Sequence, residues 1–308
     1  MIVCCGEALI DFIPARTEAG EAAYVPKPGG SPFNAALTLG RLGARVGFMG
    51  GLSSDFFGTL LRDTLAASGV DLRYSVLADR PSTLAIVSLG GGEPQYAFFD
   101  ESSASRLFAP GDAPTLGPDV QCLQVGSISL VGEPAASGIE RLFLAERGRR
   151  VLSIDPNIRP SVVPDPGAYR ARMAAMIAAA DLIKISRADL DWLHPGVDHE
   201  AWARACLRQG AALVVLTAGG EGALAVTRSG TLHQPAEPVR VVDTVGAGDA
   251  FTGGLLAALQ RQGVLERERL RDLKAAELAS ALGYASRVAA LTCARAGADP
   301  PREADVAA

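Results

Sequence analysis

The segment Asp243-Thr-Val-Gly-Ala-Gly-Asp249 joins a glycine-rich turn directly to a helical pattern. The first turn of a helix leaves backbone N–H groups without partners, and the helix dipole adds positive potential there. We therefore expect the N–H groups of Gly246, Ala247 and Gly248 to form an anion site that suits phosphoryl oxygens. Asp249 would then accept the proton of an attacking hydroxyl beside that site. The alternative role is a helix cap, which is common for an isolated aspartate.

A second candidate segment is Gly29-Gly-Ser-Pro-Phe-Asn34, which opens another predicted helix. One interpretation is purely structural: Ser31 is the N-cap and Pro32 the first helical residue, and the segment only starts a helix. The pair Gly29-Gly30 lets the backbone approach a ligand closely. Asn34 can both donate hydrogen bonds to sugar hydroxyls and accept them.

Asp11 ends the first predicted strand, within Gly6-Glu-Ala-Leu-Ile-Asp11. The carboxyl ends of strands line the ligand crevice of open α/β sheets, so we expect Asp11 to hold two hydroxyls of a substrate. A solvated aspartate at the sheet edge is the alternative.

The elements that must position these residues follow from the apolar pattern. Short apolar runs predict buried parallel strands at residues 2–9, 45–49, 120–125, 151–154, 181–185 and 212–216. Stretches of helical period alternate with them at residues 55–68, 133–146, 167–180 and 199–209. This alternation predicts an α/β fold, a Rossmann-like, doubly wound and mostly parallel sheet with helices on both faces.

Two segments, 12–27 and 73–99, break the alternation with antiparallel strand patterns, the second around Gly90-Gly91-Gly92. We expect them to form a small antiparallel sheet that covers the cleft as a lid. The predicted division is therefore a core of residues 1–11, 28–72 and 100–308 and a discontinuous lid of residues 12–27 and 73–99. Residues after Gly297 are expected to be a loose tail.

Composition excludes several classes of function. With a formal net charge of −5 and no clustered basic residues, the chain is not expected to bind nucleic acid. No apolar run reaches the roughly 18 residues of a membrane span, and no signal peptide precedes the first strand, so we expect a cytoplasmic protein without a membrane partner. Five cysteines lack a Cys-x-x-Cys pair and are expected to be reduced and buried.

Familiar catalytic motifs are missing from the sequence. There is no Walker Gly-x-x-x-x-Gly-Lys-Ser/Thr and no Gly-x-Gly-x-x-Gly after the first strand. With only three histidines, neither a zinc cluster nor a serine triad is supported. Among these classes of chemistry, phosphoryl transfer at the Asp243–Asp249 segment remains.

These segments, in this order, resemble the ribokinase-like (PfkB) carbohydrate kinase family along nearly the whole chain. The resemblance is carried by Gly29-Gly30-x-x-x-Asn34 together with the Asp243–Asp249 segment. It implies a Rossmann-like core with a β-sheet lid, ATP and Mg²⁺ as cosubstrates, and Asp249 as catalytic base beside an anion hole at Gly246, Ala247 and Gly248. The substrate contacts that it implies are Asp11, Gly29, Gly30, Asn34, Phe98, Arg159 and Asp249.

The same resemblance implies contacts for the nucleotide and for two ions. The implied ATP contacts are Ser186, Thr217, Gly219, Gly220, Gly222, Gly246 and Gly248. Asp189 is the implied Mg²⁺ ligand, although Ser186 and Asp189 stand where the family carries Asn and Glu. K⁺ is expected at Asp243 and Val245, beside a late loop at residues 292–299.

Within the family, Gly6–Asp11 and Tyr96-Ala97-Phe98-Phe99 look most like fructokinases, so fructose is the expected substrate. A 2-keto-3-deoxygluconate kinase, a ribokinase and a nucleoside kinase are the alternatives; Asp100, where some relatives carry arginine, speaks against an acidic sugar. An alternative of another class is a non-catalytic sugar or nucleoside sensor. The exposed edges of a lid sheet also predict a homodimer.

Overall fold

The computed structural model describes residues 1–88 and 95–307, so the predicted glycine run at 90–92 lies outside the described residues. Its main sheet has eight strands. In spatial order they are β14 (Gly230–Gln234), β13 (Ala223–Thr227), β12 (Leu213–Thr217), β11 (Leu182–Ser186), β10 (Val151–Asp155), β9 (Cys122–Gly126), β1 (Ile2–Cys5) and β4 (Val46–Met49). The strands from β12 to β4 pair in parallel, and β13 and β14 add an antiparallel hairpin at one edge.

Helices cover both faces of this sheet. They are α1 (Ser31–Arg41), α2 (Phe56–Ala66), α3 (Ala135–Ala145), α4 (Pro166–Ala179), α5 (Arg187–Leu193), α6 (His199–Gln209), α7 (Ala247–Arg261), α8 (Arg267–Arg271), α9 (Ala275–Cys293) and α10 (Glu303–Ala307). Alternate residues of β1 enter opposite cores: Ile2 and Cys4 pack with α1, α7 and α9, whereas Val3 and Cys5 pack with α3 and α4. The predicted doubly wound α/β fold is confirmed.

A separate four-stranded sheet, here called the lid sheet, consists of β2 (Leu9–Arg16), β3 (Ala22–Gly29), β7 (Thr83–Ser88) and β8 (Gln95–Phe99), in the order β3-β2-β7-β8. It begins at Leu9, earlier than predicted, because β1 ends at Cys5 and the chain turns at Gly6, whose φ is 153°. Asp11 therefore lies on the lid sheet, and its predicted place at the end of the first core strand is wrong.

The first part of the predicted lid segment 73–99 also lies elsewhere. β6 (Val76–Ala78) pairs in parallel with β5 (Gly51–Ser53) in a small two-stranded sheet. Tyr74, just before it, is 2% exposed and packs in the core. Burial of Tyr74 and the parallel pairing with β5 outweigh the alternating pattern of this stretch.

The C-terminal residues are docked, so the predicted loose tail is wrong. Val306 on α10 is buried in the core that α1 and α7 share. Arg261 donates to Glu303 at 2.9 Å, and Arg295 donates to Asp305 at 2.9 Å. The sequence did not predict this helix, because a single buried apolar residue gives no helical hydrophobic period and the ion pairs join residues that are distant in the sequence.

Two further expectations concern membranes and thiols. Among residues 1–88 and 95–307, none of the helices combines the length and hydropathy of a bilayer-spanning segment. All five cysteines are free thiols; four are buried, and Cys293 is partly exposed.

Candidate active site

An open cleft lies where β1, β9 and β10 end, between the main sheet and the lid sheet. Eight of the residues predicted from the sequence line it: Asp11, Gly30, Asn34, Phe98, Arg159, Val245, Gly246 and Asp249. Parts of the chain far apart in sequence thus meet at one place.

The turn before α7 takes the shape that an anion site needs. Gly246 is the N-cap, with a left-handed φ of 76°, and a Cβ there would lie 2.6 Å from that of Ala298. Within the described residues, the N–H groups of Gly246 and Gly248 have no hydrogen-bond partner. The N–H of Ala247 instead donates to the Thr244 carbonyl at 3.2 Å, so the prediction of a third free amide is wrong.

Asp249 is the third residue of α7, and its carboxylate lines the cleft while being only 6% exposed. Three donors hold it. Oδ1 accepts from Ser31 Oγ at 2.6 Å and from Asn157 Nδ2 at 3.1 Å, and Oδ2 accepts from Asn34 Nδ2 at 2.9 Å. The carboxylate is therefore fixed in orientation beside the two free N–H groups.

The surroundings of Asp249 also raise the pKa of its carboxyl group towards neutral pH. Burial raises its pKa to about 6, against the lowering effect of the Ser31 and Asn34 hydrogen bonds. Burial likewise raises the pKa of Asp11 to about 6, although the guanidinium of Arg159 opposes the shift. Both groups are thus ionised at pH 7 and still basic enough to accept a proton.

The start of α1 differs from its prediction in one respect. Gly30, with φ 106°, is the N-cap, and Ser31 is the first helical residue. Because Ser31 does not cap the helix, its hydroxyl donates to Asp249, while its N–H donates to Glu7 Oε1 at 3.0 Å. Ser31 as N-cap was the wrong assignment, and its contact with Asp249 was missed.

The glycine pair makes room for carboxylate and backbone groups of the protein itself. A Cβ at Gly29 would lie 2.3 Å from Asp11 Oδ2, and a Cβ at Gly30 would lie 2.8 Å from the Glu7 carbonyl. Glu7 is buried, and its second oxygen accepts from the Ser129 N–H at 3.1 Å. The two glycines therefore let the lid strand with Asp11 approach the start of α1.

The stretch Asp155-Pro-Asn-Ile-Arg159 begins at the last residue of β10 and places Arg159 in the cleft and Asn157 against Asp249. Asn157, at a positive φ of 39°, reaches Asp249, and its Oδ1 accepts from Arg159 Nη1 at 2.6 Å. Arg159 lines the cleft as predicted. Asn157 was missed as a site residue, although it lies only two residues before the predicted Arg159.

Ser186 and Asp189 have local structural partners. Ser186 is the N-cap of α5, accepts from the Asp189 N–H at 3.0 Å and donates to Asp189 Oδ2 at 2.7 Å. Asp189 Oδ1 accepts from the Ile158 N–H at 3.0 Å. Both oxygens of Asp189 thus accept hydrogen bonds within the protein, and the predicted Mg²⁺ contact stays a prediction.

The turn after β12 carries the predicted ATP contacts Thr217, Gly219, Gly220 and Gly222. Gly222 has φ 94°, and a Cβ there would lie 2.1 Å from the Gln234 carbonyl, so the turn itself requires glycine. Gly219 and Gly220 are exposed and have open space around them. These residues lie at the same carboxyl edge of the main sheet as the cleft but do not line it.

Asp243 joins the turn before α7 to the late loop. Its Oδ1 accepts from the Val245 N–H at 3.0 Å, and its Oδ2 accepts from the Gly297 N–H at 2.8 Å. The Cys293 carbonyl accepts from the N–H groups of Val242 and Asp243. The segments named for a K⁺ site are therefore adjacent, and Asp243 supplies negative charge among them.

Known proteins resemble this chain over most of its length. The model of the pfkB family carbohydrate kinases matches residues 1–305. A fructokinase of Rhizobium leguminosarum bv. trifolii is 44% identical over 273 residues, which cover 89% of this chain and 84% of the relative. The structure of a Xylella fastidiosa fructokinase with bound ATP superposes with a TM-score of 0.91 at 29% identity, covering 99% of this chain and 96% of the other.

A second solved structure is similar. It is a fructokinase double mutant of Vibrio cholerae O395 in a form with fructose, ADP and potassium ion bound; its TM-score is 0.87 at 27% identity, covering 99% of this chain and 96% of the other. The family resemblance predicted from the Gly29–Asn34 and Asp243–Asp249 segments is confirmed. The chain belongs to the pfkB family of carbohydrate kinases, and it is a sugar kinase, a phosphotransferase whose acceptor is an alcohol group.

Proposed function

We propose that this sugar kinase transfers the γ-phosphoryl group of ATP to a hydroxyl of fructose, with Asp249 as general base. The observation that carries the proposal is the position of Asp249: a buried carboxylate in the cleft, next to the free N–H groups of Gly246 and Gly248. A base and an anion site are the two things that this reaction requires of the protein.

In the proposed reaction, Asp249 accepts the hydroxyl proton as the sugar oxygen forms its bond to the γ-phosphorus. The bond from that phosphorus to the bridging oxygen breaks, and ADP leaves with the electron pair. The N–H groups of Gly246 and Gly248 donate to the phosphoryl oxygens, where negative charge gathers. Ser31, Asn34 and Asn157 keep the carboxylate aimed into the cleft.

The sugar would be held by groups on both sides of the cleft. Asp11, on the lid sheet, accepts hydrogen bonds from hydroxyls, and Arg159 donates to hydroxyl oxygens. Asn34 lines the cleft, and its Oδ1 is buried without a partner among the described residues, so a hydroxyl that reaches it would satisfy that acceptor. Movement of the lid sheet over the bound sugar would exclude water from the reacting groups.

Fructose is proposed over other sugars because the relatives reported above are fructokinases and one of them has fructose bound. Asp100 supports a neutral sugar, because it accepts from Arg106 Nη1 at 3.0 Å and so neutralises that cation in a smaller pocket that adjoins the cleft at Glu7 and Ile128. Mg²⁺, when bound with ATP, would offset phosphate charge. K⁺ near Asp243 and Val245 would steady the turn before α7. A cytoplasmic location and a homodimer formed through the lid sheet complete the proposal.

The test is an ADP-release screen with ATP and Mg²⁺ over fructose, ribose, tagatose, 2-keto-3-deoxygluconate and nucleosides, with and without K⁺. Fructose should give the highest kcat/KM, and K⁺ should increase it. A preference for 2-keto-3-deoxygluconate or a nucleoside would overturn the choice of sugar. Sugar binding without ADP release from any substrate would favour the sensor alternative.

A further inference from the structure

A buried ion pair lies behind the turn before α7. Lys184 on β11 and Asp155 at the end of β10 meet at 2.8 Å, and their side chains are only 5% and 2% exposed. Burial opposes a charged amine, but Asp155 prevails and raises the pKa of Lys184. The lysine is therefore a fixed cation inside the protein.

This pair is in direct contact with the first turn of α7. A Cβ at Gly248 would lie 3.2 Å from Lys184 Nζ, so the ammonium lies directly against the Gly248 backbone. Thr252 Oγ1 is 3.1 Å from Asp155 Oδ2 and 3.1 Å from the Gly248 carbonyl oxygen. The pair is thus linked to the residue whose N–H is free for an anion.

Stability alone explains this arrangement poorly. Two buried charges cost desolvation, and replacing such a pair by apolar residues is often neutral or stabilising. Among the described residues, Asp155 Oδ1 is buried without a partner, and the ammonium has a single hydrogen-bond acceptor although it carries three donors. The position of Lys184 beside Gly248 is therefore what distinguishes this ion pair from one that only stabilises the fold.

We propose that Lys184 is a positioning residue of phosphoryl transfer. Held by Asp155, it places a positive charge behind the Gly246–Gly248 turn, where it stabilises negative charge on the transferring phosphoryl group through the peptide of Gly248. Thr252 holds that first turn of α7 in place. The proposal rests on the proposed kinase reaction and adds a residue whose side chain does not line the sugar cleft.

The pair also acts on Asp249 in a way that can be measured. The charged groups around Asp249 are Asp155 and Lys184 beneath it and Glu7, Asp11 and Arg159 across the cleft, with Asp189 near Lys184. Asp155 raises the pKa of Asp249, whereas Lys184 lowers it. Removing one charge at a time should therefore move the acid limb of the kcat profile in opposite directions.

The experiment compares full-length Lys184→Met and Asp155→Asn with the wild-type enzyme. Lys184→Met should lower kcat on the order of 10- to 100-fold, less than the roughly 10²- to 10³-fold loss of a direct anion-hole donor because Lys184 acts through the Gly248 peptide, while sugar KM changes less than about twofold. Its acid limb should move to higher pH, and that of Asp155→Asn to lower pH. An active Lys184→Met enzyme with wild-type kcat and an unmoved limb would overturn the proposal.

Two further variants keep the test decisive. Lys184→Met/Asp155→Leu removes both charges, so it avoids an unpaired buried carboxylate and should still lose kcat. Arg150→Met removes a similarly buried cation from its pair with Glu146, away from the cleft. It should lower the melting temperature without changing the kcat of the folded fraction; an equal kcat loss there would reject a specific role for Lys184. Absence of wild-type turnover with every sugar would reject the kinase function instead.

Discussion

Asp249 combines burial with access to a cleft, and its three donors come from α1 and from the segment after β10. A helix cap would accept hydrogen bonds from N–H groups of its own helix. The oxygens of Asp249 instead accept from side chains of other segments. This geometry favours a reactive carboxylate over the capping role that the local sequence allows equally well.

The first prediction at this scale concerns Asp249→Asn. Turnover should fall on the order of 10²-fold or more, because the amide cannot accept the hydroxyl proton. The melting temperature at pH 7.5 should not fall, because the substitution removes a buried negative charge. Steady-state ADP release and thermal unfolding measure the two effects. Near-normal turnover would reject the general base.

The pH dependence follows from the same carboxylate. Its folded pKa of about 6 exceeds the ordinary 3.8, so its contribution to stability is greatest below pH 4 and is lost as the pH rises through about 6. Activity runs the other way, because only the ionised form is a base. We expect kcat/KM to fall about tenfold per pH unit below roughly pH 6, with Asp11 steepening the fall. A flat profile down to pH 4.5 in enzyme shown to be folded by circular dichroism would contradict this.

At the scale of elements, the site depends on a close crossing of α7 with α1 and α9. A Cβ at Gly253 would lie 2.7 Å from Thr38 on α1, and a Cβ at Gly254 would lie 3.0 Å from the Ala285 Cα on α9. Thr38 is one turn from Asn34, whose Nδ2 holds Asp249. The helix spacing and the orientation of the base are therefore coupled.

Gly253→Val tests this coupling. The added side chain should push α1 from α7, cost about 1 to 3 kcal/mol of stability and reduce kcat by separating Asn34 from Asp249. Gly111→Val is the matched control, since an added Cβ there meets nothing within 4 Å. Thermal unfolding and turnover are measured for both variants. Equal stability and equal turnover of the two would show that the crossing of α7 and α1 accommodates a larger side chain than the structure indicates.

The lid sheet gives a second prediction for elements. Asp11 on β2 faces the cleft, so sugar binding should order β2 and β3 and slow exchange of their amide hydrogens. Hydrogen–deuterium exchange with and without fructose measures the effect, and α6 on the opposite core serves as the internal reference. Unchanged exchange in both strands would count against closure.

For the whole molecule, the edge strand β3 of the lid sheet leaves Tyr24 and Val25 exposed at 49% and 42%. An exposed apolar edge favours pairing with a second copy. We predict that sedimentation shows a homodimer and that Tyr24→Asp/Val25→Lys shifts it to monomer. Leu77→Lys, on an equally exposed position outside the lid sheet, should leave the dimer intact. A wild-type monomer would reject the interface.

Most of the architecture was predictable because it depends on local patterns. The apolar runs of β9 to β12 and the period of α6, whose bounds match residues 199–209, need only neighbouring residues to specify them. The glycine turn and Asp249 were recognisable for the same reason. The segment 73–82 and the C-terminal residues were not, because burial of Tyr74 and Val306 depends on surfaces supplied by remote parts of the chain.

The amino-acid sequence by itself therefore determined the fold class, and it supplied the proposed anion-binding turn and the proposed base, all of which follow from short stretches of residues. Only the tertiary structure decided which groups surround that base. Ser31, Asn157 and Lys184 approach α7 from distant segments, and Asp11 arrives on the lid sheet. Side-chain partners depend on how helices and sheets pack, and local periodicity carries no information about that packing.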